Sequence, residues 1–244
     1  MLKNKQSFRD LMACAEQDAT ARIASGQPLR LSPQAKVEGE EATIYLYDAI
    51  GGWFGIAAAE FVQELNGLKA KTIHLRINSP GGSVFEAEAI QTAIQQHGAK
   101  VVAHIDGMAA SAATYVALAA DEIEISDGGF FMIHNAWGVA IGSAVEVRAY
   151  ADLLDKISEN ISQDYQNKTG KSAEQITDWM NTETWFSASE ALEHGFVDRI
   201  YAKSKDEDGK EKKDDGKKAQ AQADAIALAA QRRANAIRMV EVGI

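Results

Sequence analysis

Residues 72–86 read Thr72-Ile73-His74-Leu75-Arg76-Ile77-Asn78-Ser79-Pro80-Gly81-Gly82-Ser83-Val84-Phe85-Glu86. Thr72 to Ile77 alternates apolar and polar side chains with the period of a strand. Asn78 to Gly82 supplies a turn: proline fixes one φ, and the two glycines permit dihedrals closed to other residues. Ser83 stands three residues before Glu86, the spacing of a capping box, so a helix is expected from Val84. Its end is expected at His97-Gly98, where glycine suits a left-handed cap. Strand, tight turn and helix in this order make half of a parallel crossover unit.

The same order recurs along the chain. Upstream, Ala42 to Tyr47 reads as a strand and Gly55 to Leu65 as a helix, with Ile56, Ala59, Phe61, Val62 and Leu65 on one face. Downstream, Val101 to Ile105 is a strand, Asp106-Gly107 a turn, and Ser111 to Ala120 a helix of small residues. Ile123-Glu124-Ile125 and Phe130 to Ile133 are further strand segments. Recurrence of this kind predicts an α/β fold with a largely parallel sheet and right-handed crossovers. Ser143 to about Tyr165 then forms a long amphipathic helix, with Val147, Tyr150, Leu153, Leu154, Ile157 and Ile161 at three- and four-residue spacing. Such a helix either packs in the core or projects onto another subunit.

Composition bounds the alternatives. The chain has 244 residues, 46% of them hydrophobic and 25% charged, which is enough for one large domain with appendages. A single cysteine, Cys14, excludes an internal disulfide framework and a multi-thiolate zinc site, and a reducing, cytoplasmic setting is expected. No apolar run reaches the roughly 18 residues that span a bilayer. The N-terminal stretch interleaves charges with apolar positions, so neither a signal peptide nor a membrane association is expected. A formal net charge of −10 argues against a nucleic-acid partner. Three zones follow: a polar segment over residues 1–40, a compact domain over 41–202, and a tail over 203–244. The tail opens as a charged linker, expected to be disordered, and continues into an Ala/Gln-rich stretch readable as a helix.

Five histidines are candidates for a general base. His97 and His194 each precede a glycine at a helix end, where histidine serves the dipole and the last carbonyls. His74 and His104 lie within strands. His134 differs, because it leaves the apolar run Phe130 to Ile133 at its C-terminal end and opens the loop Asn135-Ala136-Trp137-Gly138. Open α/β sheets place their sites at such strand ends. Ser111 follows a strand and a glycine-containing turn and begins a helix, where free N–H groups gather. A serine there has two readings, a helix cap or a nucleophile activated by a base. Gly81 and Gly82 offer backbone N–H groups to a ligand, or simply make a tight turn. Spacing does not choose a third, orienting carboxylate among Asp106, Asp121, Asp127, Asp178, Glu183 and Asp198.

Four segments, INSPGG (77–82), DGMAASAAT (106–114), MIHN (132–135) and ETWFSASEALEHGFVDRI (183–200), together resemble the proteolytic subunits of the Clp protease, ClpP. The resemblance covers roughly residues 42–202 and is nearest to the phage and prophage branch named head-maturation proteases. It implies a crotonase-like spiral of β-β-α units with a projecting handle helix at Ser143 to Tyr165. It also implies a serine endopeptidase with Ser111 as nucleophile and His134 as base. Gly82 and Ala112 then match the oxyanion donors, with Gly81 in the same loop. Glu183 stands where the family usually carries aspartate, a side chain shorter by one methylene. Thr182 lies near the position where housekeeping members have an arginine linked to ring pairing.

The partners implied are polypeptide substrates, further copies in a ring, commonly a heptamer that stacks, and either an ATP-driven unfoldase of the AAA+ type or phage capsid proteins. No cofactor is implied, and no phosphate-binding Gly-x-x-x-x-Gly-Lys-Ser/Thr loop is present for the chain's own ATP hydrolysis. A signal-peptide peptidase would share the Ser-Pro-Gly-Gly loop but use a Ser-Lys pair and a membrane anchor. An acyl-CoA crotonase would share the architecture without the paired Ser111 and His134. A ring or scaffold component without catalysis is the remaining alternative.

Overall fold

The computed structural model describes residues 33–51 and 55–201, with single positions 13, 17, 20 and 21 before them. The readings of residues 1–32 and of the tail beyond Tyr201 lie outside this description. Among the described residues of the unit Arg30–Tyr201, the strands are β1 (Ala35–Glu38), β2 (Glu41–Leu46), β3 (Thr72–Ser79), β4 (Lys100–Ala110), β5 (Glu122–Ser126), β6 (Phe130–Ile133), β7 (Thr184–Ser187) and β8 (Arg199–Tyr201). The helices are α1 (Ala58–Gly67), α2 (Val84–Gln96), α3 (Ala112–Leu118), α4 (Ala144–Thr169), α5 (Ala173–Asn181) and α6 (Ala188–His194).

All the strands join one sheet, in the order β1-β2-β3-β4-β5-β8, with β6 pairing β4 and β7 pairing β6. Pairing is parallel except for β1 with β2 and β6 with β7. The parallel α/β sheet expected from the recurring units is therefore present. The short β1, which lies within the polar N-terminal zone, was not legible as a strand: its residues Ala35 to Glu38 are mostly exposed and lack alternation.

One face of the sheet is apolar. Ile44 and Leu46, Ile73, Leu75 and Ile77, Val101, Ala103 and Ile105, and Ile123 and Ile125 alternate onto it and are buried. Helices cover this side: Phe61 and Leu65 from α1, Ile90 and Ile94 from α2, and Val116 from α3 join the same core. Ser83 caps α2 as expected, its Oγ accepting from the Glu86 N–H at 3.5 Å. The capping box is only half made, however. The Glu86 carboxylate turns away and accepts from the Ala58 N–H at 2.6 Å, satisfying an orphan donor in the first turn of α1. The Ser83 N–H is instead engaged by the Ile50 carbonyl at 2.9 Å.

The far end of α2 also departs from expectation. His97 is extended at φ −75° and ψ 136°, and Gly98 does not adopt the left-handed conformation. The chain must run straight into β4 at Lys100, and the reversing left-handed cap would turn it elsewhere. At the end of α6 the expected cap is present, with Gly195 at φ 84°.

The opposite face holds charge in partnered rows. His104 Nδ1 meets Glu124 at 2.9 Å, and Glu124 also pairs with Arg199. Burial lowers the pKa of His104, so the neutral ring donates from Nδ1 and accepts at Nε2 from His74 Nδ1, 2.9 Å away. Beside this row, Asp106 accepts from both nitrogens of the Arg76 fork and from the hydroxyls of Tyr47 and Tyr201. Removing Asp106 would leave a guanidinium and two hydroxyls without their shared acceptor. Asp106→Ala is therefore expected to destabilise the chain by about 2 kcal/mol or more, read as a lower urea midpoint, whereas Asp106→Asn should lose less.

Candidate active site

Strand register brings the candidate residues together. β4 and β6 are parallel and in register, with Ala110 opposite Met132. Ser111 and His134 leave the C-terminal ends of these two neighbours. The Ser111 N–H extends the ladder to the Met132 carbonyl at 2.9 Å, and Ser111 Oγ lies 2.6 Å from His134 Nε2. This is hydrogen-bond distance, with the imidazole placed to take the hydroxyl proton.

Ser111 adopts φ 53° and ψ −127°, a conformation that L residues with a Cβ avoid. Two features hold it there. Its N–H is fixed to β6, and its carbonyl accepts from both the N–H of Thr114 at 2.9 Å and the hydroxyl of Thr114 at 2.6 Å. The side chain makes no cap bond to α3. Of the two sequence readings, the helix cap is therefore not what Ser111 does here. The sharp turn lifts its Oγ out of the strand, as in nucleophile elbows of other sequence pattern.

The glycine loop closes on the same point. It follows β3, which runs parallel to β4 with Ser79 opposite Ala109. Gly81 has φ 87° and Gly82 φ 150°. A Cβ on Gly81 would stand 2.4 Å from the Ala110 carbonyl oxygen and 2.8 Å from the Ala112 nitrogen. One on Gly82 would stand 2.2 Å from the Ile50 carbonyl oxygen. Glycine is required at both positions by conformation and by space. Gly82 is bridged to Ile50 through the Gly81 carbonyl, at 2.8 Å, and the Ser83 N–H. The Gly82 N–H takes no part in that bridge, and the Ala112 N–H is the first of helix α3. Both residues line the cleft beside Ser111.

Glu183 is also brought in by register. β6 and β7 are antiparallel with Ile133 opposite Thr184, so the next residues outward on the two strands are His134 and Glu183. Glu183 sits at φ 49°, where the chain leaves α5 and enters β7. Its Oε2 is 4.0 Å from His134 Nδ1, close enough for ion-pair attraction and beyond a direct hydrogen bond. Burial pushes the His134 pKa down to about 4, so the ring is neutral at pH 7.

Three of the other carboxylates named with it, Asp106, Asp121 and Asp198, do other work. Asp106 serves the polar sheet face. Asp121 accepts from the Val101 N–H at 2.7 Å. Asp198 accepts from the Ile123 N–H and from Lys168. The remaining histidines are placed structurally: His97 Nδ1 accepts from the Ala99 N–H, and His194 packs on Trp179 and Phe186.

The cleft walls were not foreseen from the sequence. Val84 of α2, Tyr115 of α3, Trp137 after β6, and Ile161 and Tyr165 of α4 line it. Ile161 carried the signal of an amphipathic helix face, but periodicity does not say which core a face meets. Loop 135–137 is pinned by Asn135 to Asn181 at 2.7 Å and by the Ala136 N–H to Ser158 at 3.1 Å.

Comparison with known proteins shows the family and the fold. Residues 40–204 match the family described as Clp protease. The ATP-dependent Clp protease proteolytic subunit 1 of Prochlorococcus marinus (strain NATL2A) is 31% identical over 135 residues, covering 54% of this chain and 69% of that one. Subunit 2 of Tropheryma whipplei (strain Twist) is 34% identical over 130 residues, covering 52% of this chain and 72% of its own. Among solved structures, a point mutant of ClpP1 from Listeria monocytogenes superposes with a TM-score of 0.59 at 27% identity, covering 68% of this chain and 93% of that one.

The strain at Ser111 has a measurable consequence. Ser111→Gly and Ser111→Ala both lose the hydroxyl, but only glycine relaxes at φ 53°. The glycine variant is expected to be more stable than the alanine variant by about 1 kcal/mol, seen as a higher Tm.

Proposed function

The chain belongs to the Clp protease family and is a serine-type peptidase, and from that premise we propose that it cleaves polypeptides through an acyl-enzyme on Ser111. The observation that supports this most is the 2.6 Å contact between Ser111 Oγ and His134 Nε2 at the ends of adjacent parallel strands. In the proposed reaction His134 takes the hydroxyl proton as Oγ attacks the peptide carbonyl. The N–H groups of Gly82 and Ala112 receive the oxyanion, and Gly81 holds that loop against Ser111. His134 then returns the proton to the leaving amine, and water releases the acyl group by the same path.

Glu183 is assigned an electrostatic part. The imidazolium formed during attack is buried, and a carboxylate 4.0 Å away lowers its energy without fixing the ring through a direct bond. Substrates would meet this site inside a ring of copies, commonly heptameric or stacked, which excludes folded proteins. The exposed N-terminal part of α4, bearing Val145, Val147 and Leu153, supports a role in such assembly. Two settings fit the chamber: maturation of phage capsid or scaffold proteins, and degradation of chains delivered by an AAA+ unfoldase. A cytoplasmic location suits both, and among the described residues no helix is long and apolar enough to cross a membrane.

A fluorophosphonate probe tests the reading directly. The adduct is expected on Ser111, absent in Ser111→Ala and strongly reduced in His134→Ala. Labelling elsewhere, or undiminished peptidase activity in Ser111→Ala, would sink the mechanism and favour a ring component without catalysis. Because burial depresses the His134 pKa, the base stays deprotonated well below pH 6.5. Its acid limb in kcat/KM is expected nearer pH 4 than pH 6.5. Glu183→Gln should lower kcat/KM by about tenfold, against a factor of about 10³ or more for Ser111→Ala.

A further inference from the structure

Glu183 occupies a backbone position that usually belongs to glycine. Helix α5 runs to Asn181, Thr182 ends it at φ −96° and ψ 2°, and Glu183 follows at φ 49°. Just past a helix end, a left-handed residue is usually glycine, because a Cβ crowds the backbone there. The turn directs the chain into β7 and leaves the Glu183 carboxylate 4.0 Å from His134 Nδ1. Strain of this kind persists where neighbouring bonds enforce it.

Two threonines enforce it here. Thr182 Oγ1 donates to the Asp178 carbonyl at 2.8 Å, and Thr184 Oγ1 donates to the Trp179 carbonyl at 2.8 Å. The Trp179 carbonyl is among the last of α5, where helical partners run out. The residues on both sides of Glu183 are thereby tied to the helix it leaves, with their hydroxyls 3.0 Å apart. The same segment is tied to both neighbours of the base. Thr184 pairs with Ile133, the residue before His134, on the last rung of the β6–β7 ladder. Beyond that rung, Asn181 Oδ1 accepts from Asn135 Nδ2 at 2.7 Å, and Asn135 is the residue after His134. The Thr184 bond is part-buried and the asparagine bond exposed, so Thr184 supplies more of the restraint.

We propose that Thr182, Thr184, Asn135 and Asn181 are positioning residues for Glu183, holding its strained backbone so that the carboxylate stays within ion-pair range of His134. Attraction follows inverse distance, so a retreat of about 1 Å from 4.0 Å removes about a fifth of it. Thr182, Thr184 and Asn181 stand outside the lining of the cleft beside Ser111, whereas Asn135 belongs to it. The first three therefore act through Glu183 and are the ones to vary. The inference rests on Ser111 and His134 being nucleophile and base of the proposed reaction.

A double-mutant cycle in the full chain tests it. Thr184→Val keeps the shape and the β-branch but loses the donor, and should lower kcat about threefold with KM unchanged. The same substitution added to Glu183→Gln should cost nothing further, because the group it positions is no longer charged. Thr184→Ser, which keeps the hydroxyl, should recover most of the loss. Asn181→Ala removes an exposed side chain and should follow the same pattern with a loss of about twofold. Equal losses with and without the Glu183 charge would mean a merely structural role and overturn the proposal, as would a Thr184→Val that loses nothing. Titration of the His134 ring by NMR needs no turnover. Removing or withdrawing the carboxylate disfavours the imidazolium, so Glu183→Gln and Thr184→Val should both move the His134 pKa down. An unchanged titration in Thr184→Val refutes the positioning role. Titrations that shift together in a chain whose Ser111 takes no fluorophosphonate support the positioning and sink the peptidase reading. A labelled Ser111 with equal losses in both backgrounds refutes the positioning and leaves the peptidase reading intact.

Discussion

Parallel pairing of β3, β4 and β6 is the constraint on which the rest of the site depends. The three strands end at one edge, and each releases one functional segment there: the glycine loop, Ser111 and His134. None of these could be moved by a residue without breaking the alternation that keeps Ile77, Ala109 and Phe131 buried. The antiparallel β6–β7 ladder then adds Glu183 by the same logic, as the partner one step beyond Ile133 and Thr184. Geometry accurate to a hydrogen bond is obtained here from backbone register, before any side chain chooses a rotamer.

The two faces of the sheet solve different problems. Helices cover the apolar face, and its burial is the main stabilising contribution to the fold. The other face places His74, Arg76, His104, Asp106, Glu124 and Arg199 on neighbouring strands, where isolated charges would be unfavourable. They are tolerable because every one has a partner across the ladder. The chain of contacts from His74 through His104 to Glu124 needs a neutral His104, since a doubly protonated pair would set two N–H groups against each other. Lowered basicity of His104 is therefore consistent with the hydrogen bonding and not a separate feature.

Much of this was legible in the sequence. The strand-turn-helix unit at residues 72–86 announced a parallel sheet because its alternation, turn residues and cap spacing agree with one another. His134 was legible because it stands where an apolar run ends, and Ser111 because it opens a small-residue helix after a strand and a glycine. Other features were hidden for definite reasons. β1 is an exposed edge strand, so it has no buried set to impose alternation. Glu86 caps a helix 28 residues away, which local spacing assigned to Ser83. Choosing Glu183 over Asp106, Asp121 or Asp198 required the β6–β7 pairing, a contact across a long helix that no local pattern records.

The site gathers several arrangements that are unfavourable by themselves. Ser111 is strained, His134 is buried and kept neutral, the Tyr115 hydroxyl has no hydrogen-bond partner among the described residues, and Glu183 occupies a left-handed conformation. Strain and desolvation of order 1–3 kcal/mol each persist only where surrounding structure overrides them. Here the surroundings are β4 and β6, whose inward residues are almost fully buried. On the proposed mechanism two of these are used when substrate binds: the lifted hydroxyl attacks, and the neutral imidazole accepts its proton. A residue free to relax would lower the ground state and weaken the preference for the transition state. Rigidity of the sheet and discomfort of the site are thus two sides of one requirement, and they explain why Ser111 is held by backbone bonds to Met132 and Thr114 instead of capping its own helix.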